Sequence, residues 1–465
     1  MSDEKTPAPK TTDSTNELPA SSADMPRRDF VRSAIVGAAG LAVAPRTAAS
    51  YSRILGANDR VRVGIVGFSD RFREAHLPVY GKIGKEMNFE IVGVSDIWNR
   101  RRDEGVAQIG AVTGNKIRAF RNNEEMYEAK ATDAVVISTA DFQHAYHGVE
   151  AMRANQDAYI EKPLAHTMQN ARAIRDAVKH SGRIVQIGTQ RRSARNYQQA
   201  ADYLKSGKFG DIVFADMTWN VNQPGRWRRP ALVSAIREQD TDWKRYLTDL
   251  PHEAWDPRKY LEFRLFWPYS SGIPDQWLVH QIDTVHWFTD LPRPRSVVAN
   301  GGIYLWKDGR KNWDTATLVF DYGPLNDPSK GFQVVYSSRM TNSAGGVKEM
   351  YYSNGGMLNL DKNEISPDGG MGTRSADEMQ MKPNLLPKMK LAEAVATETS
   401  ANTGADPSTT ANIRNWMQCV RDRMKPNADI EAGYNHSVAL CMTIAAMHTG
   451  KKVTFDDVKQ DVIAN

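Results

Sequence analysis

Between Arg60 and Thr189 the chain repeats one pattern: a short apolar run, then a segment of helix-forming residues. The runs Arg60–Gly67, Phe89–Asp96, Ile117–Phe120, Ala134–Thr139, Ala158–Ile160 and Arg183–Thr189 are predicted strands. The stretches Ala75–Met87, Arg100–Ile109, His144–Ala154 and Met168–His180 are predicted helices, the first short or kinked because it contains Pro78. Strands alternating with helices at this spacing predict a parallel, doubly wound sheet. Right-handed crossovers place every strand's carboxyl end along one edge, and ligands of such sheets bind there.

From Asp211 the texture changes. The runs Ile212–Trp219, Arg295–Tyr304, Thr315–Tyr322 and Gly331–Ser337 alternate in polarity and predict a largely antiparallel sheet with one open face. Between the first two lies a Trp- and Arg-rich insertion, Trp219–Tyr269. The region Ser353–Ser408 has weak periodicity and is expected to be a surface excursion. Two helices are predicted at its end, Thr410–Arg423 and Ile430–Gly450, separated by a Pro426-Asn427-Ala428-Asp429 turn and cap. The predicted fold class is therefore α/β: an N-terminal doubly wound parallel sheet of the Rossmann kind over 59–190, and a C-terminal α+β domain over 191–465 with an open-faced, largely antiparallel sheet.

Residues 1–58 read differently. The first 25 or so are too poor in apolar residues to form a core. Arg27-Arg28 then precedes a mild apolar run, Ser33–Ala44, that closes on Ala42-Val43-Ala44. This is the layout of a twin-arginine export signal, and it predicts a periplasmic or exported protein. The run is too short to span a bilayer, and no other segment reaches that length, so no membrane span is expected. A net charge of +5 over 465 residues, with basic residues dispersed, argues against a nucleic-acid partner. Cys419 and Cys441 are expected to be buried thiols, and no Cys/His cluster predicts a metal.

The turn after the first strand should carry dinucleotide phosphates. The usual G-x-G-x-x-G is reduced here to Gly67-Phe68-Ser69-Asp70-Arg71-Phe72. Ser69 is small enough to let backbone N–H groups approach a pyrophosphate. Phe72 should part the helix from the strand or re-aim it. Arg71 or Arg73 is expected to offset a looser fit by direct phosphate contact. Asp96, ending the second strand, suits the adenosine ribose hydroxyls and favours NAD, while Arg100–Arg102 leave NADP open. Trp98 is either an adenine platform or a helix-start surface residue.

Glu161-Lys162-Pro163 closes the fifth strand. Together with Gly64–Gly67, Asp96 and Thr139-Ala140-Asp141, it resembles the glucose-fructose oxidoreductase, inositol dehydrogenase and MocA family. The lead-in Ser50–Asp59 resembles that of exported members. The resemblance implies a nicotinamide-dependent oxidoreductase of sugars or polyols. Lys162 would then handle the proton beside the nicotinamide, with a cis Lys162-Pro163 bond. A lysine buried near a positive ring loses affinity for its proton, which suits that task. The resemblance also places Thr139, Asp141 and His144 along the nicotinamide, although this loop lacks the family's proline. Glu161 and Gln190 join them as cofactor-side residues.

Arg191, Asn220 and Trp227 are substrate candidates, since aromatic faces with polar neighbours suit sugars. The family carries Asp-x-x-x-His followed by x-x-Asp on a helix. Here His280 and Asp283 match, but Gln276 replaces the first Asp. Glutamine orients a hydroxyl and cannot take a proton. Either His280 carries more of the work with Lys162, or Asp275 is re-aimed by Pro274. His286 lies one turn further and is a candidate for the same pocket. The resemblance implies a homo-oligomer through the open sheet face. Two competing functions remain at this stage: NAD-assisted cleavage of a glycoside through transient oxidation, and a non-catalytic sugar-binding protein.

Overall fold

The computed structural model describes residues 59–223, 225, 227–392 and 406–465. The export signal expected around Arg27-Arg28 lies outside the described residues, as does Arg226 in the insertion.

The first sheet comprises β1 (Val61–Val66), β2 (Phe89–Ser95), β3 (Arg118–Phe120), β4 (Ala134–Ile137), β5 (Asp157–Ile160) and β6 (Val185–Ile187). Their order is β3-β2-β1-β4-β5-β6, and every pairing is parallel. The order reverses between β1 and β4, the switch point at which such sheets open a crevice. Helices cover both faces. Leu77–Met87, Asn99–Thr113 and Pro407–Asp422 pack with Val63, Ile65, Ile91 and Val136 on one side. His144–Arg153 and Met168–Ser181 pack with Val135, Ile137, Ala158 and Ile160 on the other. This two-sided burial explains why the strands read as continuous apolar runs rather than alternating ones.

The second sheet has ten strands: β7 (Ile212–Asn220), β8 (Ser296–Gly302), β9 (Thr315–Tyr322), β10 (Phe332–Arg339), β11 (Val347–Ser353), β12 (Gly356–Asn359), β13 (Glu364–Ser366), β14 (Met389–Lys390), β15 (Val453–Asp456) and β16 (Asp461–Ala464). Their order is β14-β13-β12-β11-β7-β10-β9-β8-β15-β16. All pairings are antiparallel except β7 with β10. Along β9, Ala316, Leu318, Phe320 and Tyr322 are buried, while Thr317 between them is exposed. That period of two gives one packed face and one open face. Val298, Val319 and Val335 lie in register across the open side.

The sequence reading of Ser353–Ser408 as an excursion requires correction. β12, β13 and β14 lie within it and extend the sheet beyond β11. Their shortness hid them, since two to four residues carry no readable period. The turn at Pro426–Asp429 behaves as expected: the Asp429 carboxylate accepts from the Ala432 N–H and caps the helix Ile430–Thr449. Cys419 and Cys441 are both buried free thiols. Among the described residues no helix is long and apolar enough to cross a membrane.

Candidate active site

A cavity of about 1230 Å³ opens at the carboxyl edge of the first sheet. Gly67 after β1, Asp96 after β2, Thr139 after β4, Glu161 and Lys162 after β5 and Gln190 after β6 all line it. The opposite wall comes from β7, the 223–264 insertion and the segment Gln276–His280.

At the dinucleotide end, Gly67 takes φ +82°, and a Cβ there would meet the Thr139 methyl at 2.7 Å. Only glycine allows this turn to approach both its neighbour and a ligand. The Asp96 carboxylate accepts from the N–H groups of Phe68 and Trp98, each at 2.8 Å, which ties the β1 turn to the end of β2. Burial pushes its carboxyl up, against those hydrogen bonds and the nearby Arg101. Ser69 Oγ accepts from the Phe72 N–H at 3.2 Å. Phe72 itself is fully buried against Phe68 and Tyr80, away from the cavity. The re-aiming expected of it takes the form of a π-helical turn, Phe72–His76, before the helix settles at Leu77. Asp70 lines the cavity with Arg73, Arg101 and Arg229 around it at 3.1, 2.8 and 3.2 Å. Arg71, expected at a phosphate, turns its Nε to Glu161 at 2.8 Å. The Trp98 ring lies edge-on to Tyr260, with the guanidinium groups of Arg100 and Arg101 near it.

Further along the edge, Glu161 joins Arg71 and His76, the latter at 2.8 Å. Burial acts to raise the Glu161 carboxyl, but these two neighbours outweigh it and hold it well below the carboxylate range. Gly188 makes room for this carboxylate, since a Cβ there would lie 2.8 Å from a Glu161 oxygen. The Lys162-Pro163 bond is cis, as the resemblance implied. Lys162 Nζ donates to the carbonyl oxygens of Asp275 and Gln276, at 3.2 and 3.1 Å. Burial pushes its ammonium down to about 8, opposed by Asp141 and Glu161 and aided by Arg264 and Arg71.

His280 reaches the same cavity from the second half of the chain. Its ring stacks on Trp219 at 5.9 Å, and Trp219 in turn stacks on Trp277. Burial, then the charges of Lys162 and Arg191, hold the imidazole well below its usual range, so it is neutral. His144 Nδ1 meets the Pro163 carbonyl at 2.8 Å and its Nε2 meets that of Thr139 at 3.3 Å, which fastens the β4 loop to the β5 turn.

The segment 274–289 is not one regular helix. Pro274–Leu278 is a π-helical turn, followed by α-helix over Val279–Thr289. The wider turn changes the offset of Gln276 from His280 relative to a regular α-helix. Gln276 and His280 line the cavity, but Asp283 does not. Asp283 is buried in a two-pronged ion pair with Arg192, at 2.7 and 3.0 Å. His286 is likewise removed from the cavity, and its Nε2 bonds the Tyr322 hydroxyl at 2.8 Å. The two sequence alternatives for the missing carboxylate are separated by Asp275. Its side chain turns away, to His166 at 3.1 Å and the Ser271 N–H at 2.7 Å. The carboxylate beside Gln276 is instead Asp141, which accepts from the Gln276 amide and, at 2.7 Å, from the Ser270 hydroxyl.

Of the other substrate candidates, Trp227 lines the cavity and packs on Trp277. Arg191 lies behind Trp219, paired with Glu349. Asn220 is buried in the β7 end, its amide donating to the Ala344 carbonyl. Sequence reasoning missed Asp242, Lys244, Arg245, Tyr246, Thr248, Tyr260, Phe263 and Arg264, all of which line the cavity. The only signal for them was the aromatic and arginine content of the insertion.

The residues fit a dinucleotide. Thr139 Oγ1 and Gln190 Oε1 are buried without a partner among the described residues, and both residues line the cavity. Such orphaned atoms call for a polar ligand.

The fold and edge site define the class: a dinucleotide-binding, doubly wound domain joined to an open-faced sheet. Residues 61–189 match the model of the oxidoreductase family with an NAD-binding Rossmann fold, the group of glucose-fructose oxidoreductase, inositol dehydrogenase and MocA. The inositol 2-dehydrogenase of Salmonella typhimurium is 28% identical over 215 residues, 46% of this chain. The match spans 58% of that relative's length. An oxidoreductase domain protein of Kribbella flavida superposes with a TM-score of 0.62 at 13% identity, over 84% of this chain and 98% of that one. The WlbA dehydrogenase of Bordetella pertussis, solved with NADH and UDP-GlcNAcA, gives 0.59 at 17% identity, over 85% and 99%. These superpositions establish the two-sheet architecture.

Proposed function

We propose that this protein is an NAD-dependent oxidoreductase that oxidises or reduces a CH–OH carbon of a sugar, polyol or sugar derivative. The observation that carries the reading is the meeting, in one edge cavity, of a lysine pushed down to about 8 and a neutral histidine. NAD, when bound, supplies the hydride acceptor. Gly67, Ser69, Asp96 and Trp98 would hold its adenosine and phosphate end, and Thr139, Asp141, His144 and Gln190 its nicotinamide end. Lys162 Nζ, as the free amine, takes the hydroxyl proton as the carbonyl forms and returns it in the reverse direction. The neutral His280 ring hydrogen-bonds the same oxygen and orients it. Asp96 favours NAD because a 2′-phosphate beside its carboxylate would meet like charge.

The decisive test is denaturation of the purified protein and identification of the released dinucleotide. NAD supports the reading. A protein that neither carries nor takes up a dinucleotide refutes it.

Two further proposals concern the protein's setting. Arg27-Arg28 and the following Ser33–Ala44 support export through a twin-arginine route. The open sheet face, with Val298, Val319 and Val335 in register, supports a homo-oligomer through that face.

A further inference from the structure

Five arginines among the described residues line the cavity. Four of them face carboxylates: Arg71 with Glu161, Arg101 and Arg229 with Asp70, and Arg245 with Glu124. Among the described residues Arg264 has no carboxylate partner. Its Nε donates to Gln276 Oε1 at 2.8 Å, and its guanidinium lies over the Phe263 ring at 4.5 Å. These two contacts fix the plane of the group and leave both terminal nitrogens without a partner among the described residues, at the wall of the cavity that Lys162 and His280 also line.

Resting on the reading of this cavity as a substrate site, we propose that Arg264 determines substrate specificity and selects a sugar acid, whose carboxylate it binds with both terminal nitrogens, over neutral sugars and polyols. A guanidinium is always charged, and its fork matches a carboxylate in two parallel hydrogen bonds. Arg264 is partly buried at the cavity wall, where an anionic ligand group would gain more from its charge than it would in open water. Gln276 explains how the charge is kept available. A carboxylate at that position would accept from the same Nε and neutralise Arg264. The amide holds the guanidinium in place without cancelling it, and turns its own N–H to Asp141. The replacement of an acid by Gln276 thus changes the site from a proton-taking group to an anion-receiving one. Trp219, Trp227 and Trp277 line the same end and offer apolar faces to a sugar ring.

The test is calorimetric titration of the NAD-treated full chain with D-glucuronate, D-galacturonate and D-gluconate, each against D-glucose or D-galactose, and with D-glucose 6-phosphate. At least one sugar acid should bind ten- to a hundredfold more tightly than its neutral parent, the range of a charge-assisted pair. Arg264→Gln should reduce that acid to the level of the neutral sugar while leaving the neutral sugar unchanged, and Arg264→Lys should keep part of the preference. The proposal is overturned if no sugar acid binds, if acids and neutral sugars bind alike, if the phosphate binds more tightly than every carboxylate, or if Arg264→Gln weakens both classes equally. Binding is read without turnover. Failure to take up NAD would therefore sink the redox reading separately, while the titration still reports on Arg264.

Discussion

Lys162 Nζ lies 3.1 Å from the backbone carbonyl oxygen of Gln276, so the turn that follows β5 is held by the segment that carries His280. A backbone carbonyl stabilises the ammonium without neutralising it. The amine is thereby positioned but remains able to exchange its proton, and several consequences can be measured.

Replacement of Lys162 by Ala or Met should lower kcat by about 10²- to 10⁴-fold, the usual contribution of a positioned acid-base group. Uptake of NAD should persist, because the phosphate and ribose contacts lie elsewhere. Steady-state kinetics and a dinucleotide titration separate the two effects.

The oxidation rate should rise with pH through a midpoint near 8, or below it where a bound cationic ring assists, because the amine must be free to accept the proton. kcat/KM against pH reports this, and Lys162→Arg should abolish the rise. The same shift has a stability consequence of definite sign. Between about 8 and the unfolded lysine value of about 10.4, the unfolded chain holds a proton that the folded one has lost, so this group makes stability increase with pH across that window.

Asp283→Asn should destabilise the protein by about 3–5 kcal/mol, because it leaves Arg192 buried beside a neutral amide. Denaturant unfolding measures it. Substrate KM should be unaffected, since the residue lies outside the cavity. Arg192 and His436 outweigh burial and hold this carboxyl well below its ordinary value. Its contribution is therefore full above about pH 4 and disappears only as pH falls toward the depressed folded value.

Val335→Glu should dissociate the proposed homo-oligomer. Val335 is partly exposed on the open face and pairs with Val319, so a charge there would be buried at a sheet-to-sheet interface. Light scattering after size exclusion should give the monomer mass for the variant and a multiple of it for the parent chain.

The first sheet was legible because burial on both faces writes each strand as an unbroken apolar run, and each helix carries its own amphipathic period. The cis bond at Pro163 and the lysine before it were legible through family resemblance, not through periodicity. The second half was less so. β12, β13 and β14 are too short to show a period, and β7 pairs in parallel with β10, a partner more than a hundred residues away. Asp283 and His286 share the regular helix Val279–Thr289 with His280 but turn to Arg192 and Tyr322 rather than to the cavity, and those partners are not readable from helical spacing alone. Arg264 was missed because its significance lies in what it lacks, a carboxylate partner, and that is visible only once the pairs of the other arginines are known.

The central claim is that the Lys162 amine takes a substrate proton while a hydride passes to bound nicotinamide. The most direct measurement is a single-turnover experiment on NAD-loaded protein, in which appearance of the reduced-nicotinamide absorbance is followed after mixing with a panel of sugars, polyols and sugar acids. The account predicts a burst of reduction by at least one of these in the parent protein and its loss in Lys162→Ala at equal cofactor content. Equal bursts in the two proteins, or none in NAD-loaded parent protein with any of them, would contradict it.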